Sequence, residues 1–243
     1  SWSVPTGSAS GTSFATPGAT PVTPLAPHVA RFAVKYRGLE AGTSEVSLEL
    51  VPSTAPGGLP RYGFTNRSTP RGLAALFLPG TVTQRTSFQI GATGLQPLAY
   101  SLDDGGKSTA RDVRLAFDHE RHRITGVAEN RAVDLPLVAG TQDALTLGLQ
   151  VRWLLEQGTA PGRLVMVEKD KAKEYDYAFA GTERLSTAVG MLETVVWSSR
   201  RPGSRRVTRT WYAPSLGHLA VKVEQKDGEQ VLMTLTLLSW QAR

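Results

Sequence analysis

The sequence predicts a mainly β protein, a single antiparallel meander curled into an open barrel or roll, with one central helix packed on its concave side. Three observations carry this. Strand-length runs separated by Gly, Pro, Asn and Asp clusters recur at the spacing of a meander. Only one long segment, residues 141–157, has a helical pattern. That segment is apolar nearly all round, the mark of a buried helix rather than one laid on a surface.

Residues 1–29 are dominated by Ser, Thr, Pro, Gly and Ala and contain His28. Such a composition offers little to offset its ordering entropy, so it reads as a flexible tether ahead of a single β-rich domain at 30–243. Strands are expected at Arg31–Arg37 and Ser44–Val51, joined around Gly38 to Gly42, and at Arg61–Arg67 beyond a Pro/Gly-rich loop. Residues 71–78 fit one helical turn or a buried strand, because periodicity cannot separate the two over so short a run. Strands follow at Thr81–Ile90, Leu95–Leu102, Arg111–Phe117 and Arg121–Val127.

In the helix, Thr141 is the expected N-cap, Asp143 places a negative charge in the first turn, and Gly158 is placed to end it. Ala144, Leu147, Val151, Leu154 and Leu155 form its apolar stripe, with Leu145, Leu149 and Trp153 outside it. The second half gives strands at Arg163–Glu168, Ala172–Ala180, Met191–Ser199, Arg205–Tyr212, Gly217–Lys226 and Glu229–Trp240. Asp227-Gly228 suits a two-residue hairpin turn, in which both positions take positive φ. Leu219, Val221 and Val223 alternate with polar neighbours, giving one dry face and one wet one.

The chain has 243 residues, 40% of them hydrophobic, a formal net charge of +6 and no cysteine. This is enough apolar material for one large core, and it excludes disulfides and thiolate metal sites. The basic balance favours anionic partners. The chain starts at Ser1 without Met, so an upstream export signal or anchor is expected.

Chemistry-bearing motifs are scarce. The nucleophile-elbow pattern G-x-S-x-G and the glycine-rich nucleotide loops do not occur, and no catalytic residue is assigned. His119 and His122 with Asp118 or Glu120 are the natural metal candidates, but the spacing is poor and Arg121 and Arg123 intervene, so Asp118–Arg123 reads as a solvated turn. Asp103-Asp104 is explained by the turn it precedes. Neither a metal nor a cofactor is expected. Aromatics offer a ligand surface: Tyr175 and Tyr177 share a strand face with Phe179, and Trp211 and Tyr212 precede the Pro214 turn. Gln142 and Asp143 either orient the helix inside the shell or supply polar groups at a pocket mouth. Arg200, Arg201, Arg205, Arg206 and Arg209 cluster at an expected hairpin tip, suited to gripping phosphates or sulfates.

Four stretches together resemble the domain-of-unknown-function 3108 family of exported bacterial proteins. They are Arg-Phe-Ala-Val-Lys-Tyr-Arg-Gly-Leu-Glu-Ala-Gly at 31–42, Gly-Leu-Ala-Ala-Leu-Phe at 72–77, Ala-Gly-Thr-Gln-Asp-Ala-Leu-Thr at 139–146, and the block from Thr210 to Gln225. The resemblance implies a periplasmic or otherwise extracytoplasmic protein with an open-barrel fold, and it carries no functional positions. The expected function is therefore non-enzymatic binding of an amphiphilic or anionic envelope ligand (lipid, lipoprotein or glycan) on a concave β surface. The alternatives are an envelope hydrolase with dispersed carboxylates, and an adaptor docking a membrane partner through the basic hairpin. Nucleic acid is the least expected partner.

Overall fold

The computed structural model describes residues 24–52 and 56–243. Fourteen strands form one antiparallel sheet. The first eight are β1 (His28–Tyr36), β2 (Leu39–Val51), β3 (Arg61–Pro70), β4 (Val82–Gly91), β5 (Gly94–Asp103), β6 (Val113–Asp118), β7 (Arg123–Ala128) and β8 (Arg131–Pro136). Helix α1 (Thr146–Glu156) follows, then β9 (Arg163–Glu168), β10 (Lys171–Thr187), β11 (Gly190–Arg200), β12 (Arg206–Ala213), β13 (Leu219–Asp227) and β14 (Gln230–Ala242).

The spatial order is β8-β7-β6-β5-β4-β3-β2-β1-β14-β13-β12-β11-β10-β9. Every neighbour is a neighbour in sequence except β1 and β14, which pair at the middle of the sheet. The two edges, β8 and β9, are joined by the segment that carries α1. The sheet does not close by pairing them. Instead, the connecting chain lies along the free edge of β9, where Gln142 bridges Met166 in parallel. Its N–H donates to Val165 O (2.8 Å) and its C=O accepts from Val167 N–H (2.8 Å). The barrel stays open, and its crossover covers part of the β9 edge, which would otherwise be free to aggregate.

Three apolar clusters fill the interior. Leu149 and Trp153 of α1 pack with Leu48, Tyr62, Phe64, Phe88, Ile90 and Leu95 of β2–β5. Val167 of β9 packs with residues of β5–β8, so the two edges face each other. A third cluster joins β1 to β11–β14 around Phe32, Trp211 and Val221.

Several sequence expectations are corrected. β1 begins at His28, which is buried, and Leu25 already joins the core, so the folded domain starts ahead of the boundary expected at 30; residues 1–23 of the expected tether lie outside the described residues. β8 was not expected. It is short and ends at a proline, and the signal for it is the turn before it, where Glu129 and Asn130 take φ of 52° and 62°. Residues 71–78 contain a 3-10 turn, Gly72–Leu76, with no buried residue. The last hairpin turns one residue later than expected: Asp227 still pairs with Gln230, and of the two expected turn positions only Gly228 has positive φ.

The helix is shorter than 141–157, and Thr141 does not cap it. Asp143 does, its Oδ1 accepting from the N–H groups of Leu145 and Thr146 (2.8 Å each), while Thr146 Oγ1 accepts from Asp143 N–H (2.9 Å). This is a reciprocal capping box with Thr in the returning position. Gly158 ends the helix as expected: its N–H reaches Leu155 O, Thr159 N–H reaches Leu154 O, and its φ is +70°. Leu149 and Trp153 share a fully buried face, and Val151, across the helix from them, is buried as well; Leu147, Leu154 and Leu155 of the expected stripe are half-buried. A helix with walls on several sides is apolar all round, so the shell decides which face sinks deepest.

Candidate functional site

On the concave side, where the ligand surface is expected, Leu149 and Trp153 of α1 pack against β2–β5. An open groove of about 600 Å³ lies instead across β3–β7. Strand alternation defines its face. Phe64, Thr86, Tyr100 and Leu115 are buried towards the core, so Thr65, Arg85, Ser87, Ala99, Ser101, Arg114 and Ala116 point the other way. The register aligns these into two rows. Gly63, Ser87, Ala99, Ala116 and Thr125 face one another across five strands. Thr65, Arg85, Ser101 and Arg114 form the adjacent row.

The first row has small side chains, and so forms a trough whose lining is mostly carbon. The second raises two exposed guanidinium groups along its side. Neither Arg85 nor Arg114 has an ion-pair partner among the described residues. Gly126 lets β6 and β7 approach here, because a Cβ at this residue would lie 1.9 Å from Arg114 O. Chemically, the site combines a narrow apolar floor with two available cations. Sequence reading missed it, because outward small residues on separate strands become a row only once the register is known.

The residues singled out from sequence separate into distinct places. Tyr175 and Tyr177 are half-buried on β10, and Tyr177 lies near the buried Tyr212, with burial raising both of the latter hydroxyls above the usual tyrosine range. Tyr177 is hydrogen-bonded to Ser199 and Tyr212 to Thr210, so this cluster is internally satisfied. Phe179 is exposed and meets Trp197 edge-on at 5.5 Å. Trp211, although next to Tyr212, faces other surroundings: its Nε1 donates to Glu183 Oε2 (2.7 Å) and Lys222 Nζ sits 4.4 Å from its ring centre.

Gln142 and Asp143 are fully buried. Gln142 Nε2 donates to Leu95 O (2.9 Å) and Gln150 Oε1 accepts from Leu95 N–H (2.8 Å). β6 pairs with β5 only from Ala99 onwards, so these two amides replace the missing strand along the start of β5. Gly94 makes the approach possible, since a Cβ there would lie 2.3 Å from Gln150 Nε2. Asp143 Oδ2 accepts from Thr86 Oγ1 of β4, and burial pushes this carboxyl above its usual range. These residues staple the crossover to the sheet.

A second polar knot fixes the other side of the helix. Arg152 is buried, its Nε donates to Gly217 O (2.6 Å), and its Nη1 lies 3.4 Å from His28 Nδ1. Burial, and then the Arg152 charge, hold the His28 imidazole down to about 4. His218 Nδ1 is 2.6 Å from Glu156 Oε1. The stretch around Gly217 and His218, part of the fourth sequence block, thus receives the helix.

Arg200, Arg201, Arg205 and Arg206 do sit at a hairpin, between β11 and β12; Arg205 and Arg206 face Asp227 at 3.6 and 3.9 Å. Arg209 lies inside β12, over the Trp211 ring at 5.4 Å. Asp118 Oδ1 accepts from the N–H groups of Glu120 and Arg121, and His119 Nε2 meets Pro97 O at 2.6 Å, which makes that segment a built turn. The carboxylates of Asp103, Asp104 and Asp112 gather within 4.8 Å, and each accepts a backbone N–H of its own loop.

Comparison with known structures gives the same architecture. The chain is similar to a β-barrel-like protein of domain of unknown function DUF1849 from Brucella abortus, with TM-score 0.52 and 12% identity, covering 90% of this chain and 98% of that one. It is more distantly similar to a candidate lipoprotein from Parabacteroides distasonis (TM-score 0.40, 14% identity, 89% and 96% covered). A candidate exported protein with a YmcC-like fold from Bacteroides fragilis also matches (TM-score 0.34, 12% identity, 88% and 95% covered). No curated protein sequence matches the chain. The model of the family described as "Protein of unknown function (DUF3108)" matches residues 31–236, and the chain belongs to that family.

Proposed function

We propose that this chain is a non-enzymatic, extracytoplasmic protein that holds an amphiphile with an anionic head in the groove across β3–β7. The carrying observation is the pairing of a small-residue trough with the unpaired Arg85 and Arg114 beside it. An acyl-like body lies along Ser87, Ala99 and Ala116, shedding water from both surfaces. A carboxylate or phosphate head meets the two guanidinium groups, which bind such oxygens bidentately. The exported character of the family that the sequence resembles supports the location, and the poverty of nucleophile and metal motifs supports binding over catalysis.

A dansyl-labelled long-chain fatty acid tests this. Saturable binding with enhanced dansyl emission is expected. Filling the trough with Ala99→Trp and Ala116→Trp should abolish it, and Arg85→Glu with Arg114→Glu should weaken it by about tenfold or more, a difference of about 1.4 kcal/mol or greater. Circular dichroism confirms that each variant is folded. Unchanged affinity in both folded variants would remove the groove as the site.

A further inference from the structure

The register places the β1–β2, β3–β4, β5–β6 and β7–β8 loops at one end of the barrel, opposite the helix crossover. Tyr36 pairs with Met233 and Arg206 with Asp227, which brings the β13–β14 turn and the arginine hairpin to that same end. Here the β3–β4 loop exposes three large apolar side chains, Leu73 (63%), Leu76 (75%) and Phe77 (78%). Tyr36 and Leu39 of the neighbouring β1–β2 connection are also exposed.

Cations flank this apolar tip, with the buried Asp104 among them. Arg71 precedes the turn, Lys107 and Arg111 line a hollow shared with Leu76 and Phe77, and Arg37 lies over the Tyr36 ring. None of these four has an ion-pair partner among the described residues. Arg201 adds charge farther round the rim, beside Arg200, which stands across from Asp176. The carboxylates of Asp103, Asp104 and Asp112 lie on the same β5–β6 loop but are turned to its backbone N–H groups, which leaves exposed Leu and Phe beside four cations without ion-pair partners. An anionic bilayer matches both features: the side chains enter the acyl boundary while the ring meets lipid phosphates.

We infer that this rim docks on anionic lipid bilayers, with Leu73, Leu76 and Phe77 inserted and Arg37, Arg71, Lys107 and Arg111 on the headgroups. The inference stands apart from the groove and does not depend on it. The test is sedimentation of the full chain with vesicles of phosphatidylglycerol and phosphatidylethanolamine in equal parts, beside vesicles of phosphatidylcholine alone. The chain should bind the first and not the second, and lose binding as salt rises. Leu76→Ser with Phe77→Ser should weaken binding by about tenfold or more. Lys107→Glu with Arg111→Glu should do the same at low salt. A Phe77→Trp variant should shift its added emission to the blue on the anionic vesicles. Failure of the chain to bind them would overturn the inference, as would unaltered binding by the Leu76/Phe77 variant with an unchanged melting temperature. Capture by a protein partner with no vesicle binding would place a different occupant on this rim.

Discussion

The two ends of the barrel are built from the same kind of hairpin connection and put to opposite uses. At the crossover end, polar groups are spent on closure. Gln142, Gln150, Asp143, Arg152 and His28 are buried and bonded across α1, β1, β4, β5 and the β12–β13 turn. Surface arginines of that end also face carboxylates: Arg123 with Asp134, Arg184 with Glu193, Arg243 with Glu49. At the opposite end, no residue of the Gly72–Leu76 turn is buried, and Arg37, Arg71, Lys107 and Arg111 near it have no ion-pair partner among the described residues. The buried polar network marks the end that holds the fold together, and the exposed apolar turn with its unpaired cations marks the part of the opposite end left free to meet something else.

That contrast predicts stability losses concentrated at the crossover end. Trp153→Ala should have the largest effect, because the indole is buried among Tyr62, Phe88 and Leu95 and the shell cannot collapse around the void. A cost of about 3–5 kcal/mol is expected by urea denaturation. A loss below about 1 kcal/mol would mean that the helix is not the plug described.

The next effect is one of pH. His28 titrates near its ordinary 6.5 when unfolded and at about 4 when folded. Between those values the unfolded chain binds a proton that the folded one refuses, so stability falls as pH drops through 6.5 towards 4. The loss amounts to roughly 3 kcal/mol and levels off below the lower value. Asp143 acts in the opposite sense: its raised carboxyl favours the folded state as pH falls towards its unfolded value. The difference between wild-type and His28→Gln denaturation curves across this range isolates the histidine. Parallel curves would dissolve the knot with Arg152.

Asp143→Ala removes the acceptor for Leu145 and Thr146 and leaves Thr86 without its partner. A loss of about 2–3 kcal/mol is expected from the cap and the orphaned buried groups together. Asp143→Asn should cost less, since an amide oxygen still accepts at the cap. Equal loss in both variants would show that the carboxylate charge, rather than its acceptor geometry, holds the crossover.

Legibility followed the range of the interactions. The β10–β14 meander could be read because period-two alternation and turn residues are local. Gly158 was readable for the same reason: a left-handed C-terminal residue needs no tertiary partner. The sequence puts Thr141 at the cap and Asp143 only in the first turn, whereas Asp143 is the cap, because the geometry that favours it comes from Thr146 and from Thr86 on a strand 57 residues away. His28 looked like part of a tether because its burial depends on Arg152, 124 residues later. Trp211 and Tyr212 read as one aromatic patch, but adjacent strand residues face opposite ways and a bulge lies between them.

By itself, the sequence determined a β meander with a single apolar helix, a basic balance and a poverty of catalytic motifs. These are properties of composition and short-range pattern, which each segment carries alone. Only the tertiary structure decided that the helix crossover bridges the β9 edge, that Arg85 and Arg114 flank one trough, and that Leu76 and Phe77 share a rim with unpaired cations. Each of those depends on which strands lie side by side and in what register, and register is set by the packing of the whole shell rather than by any one strand.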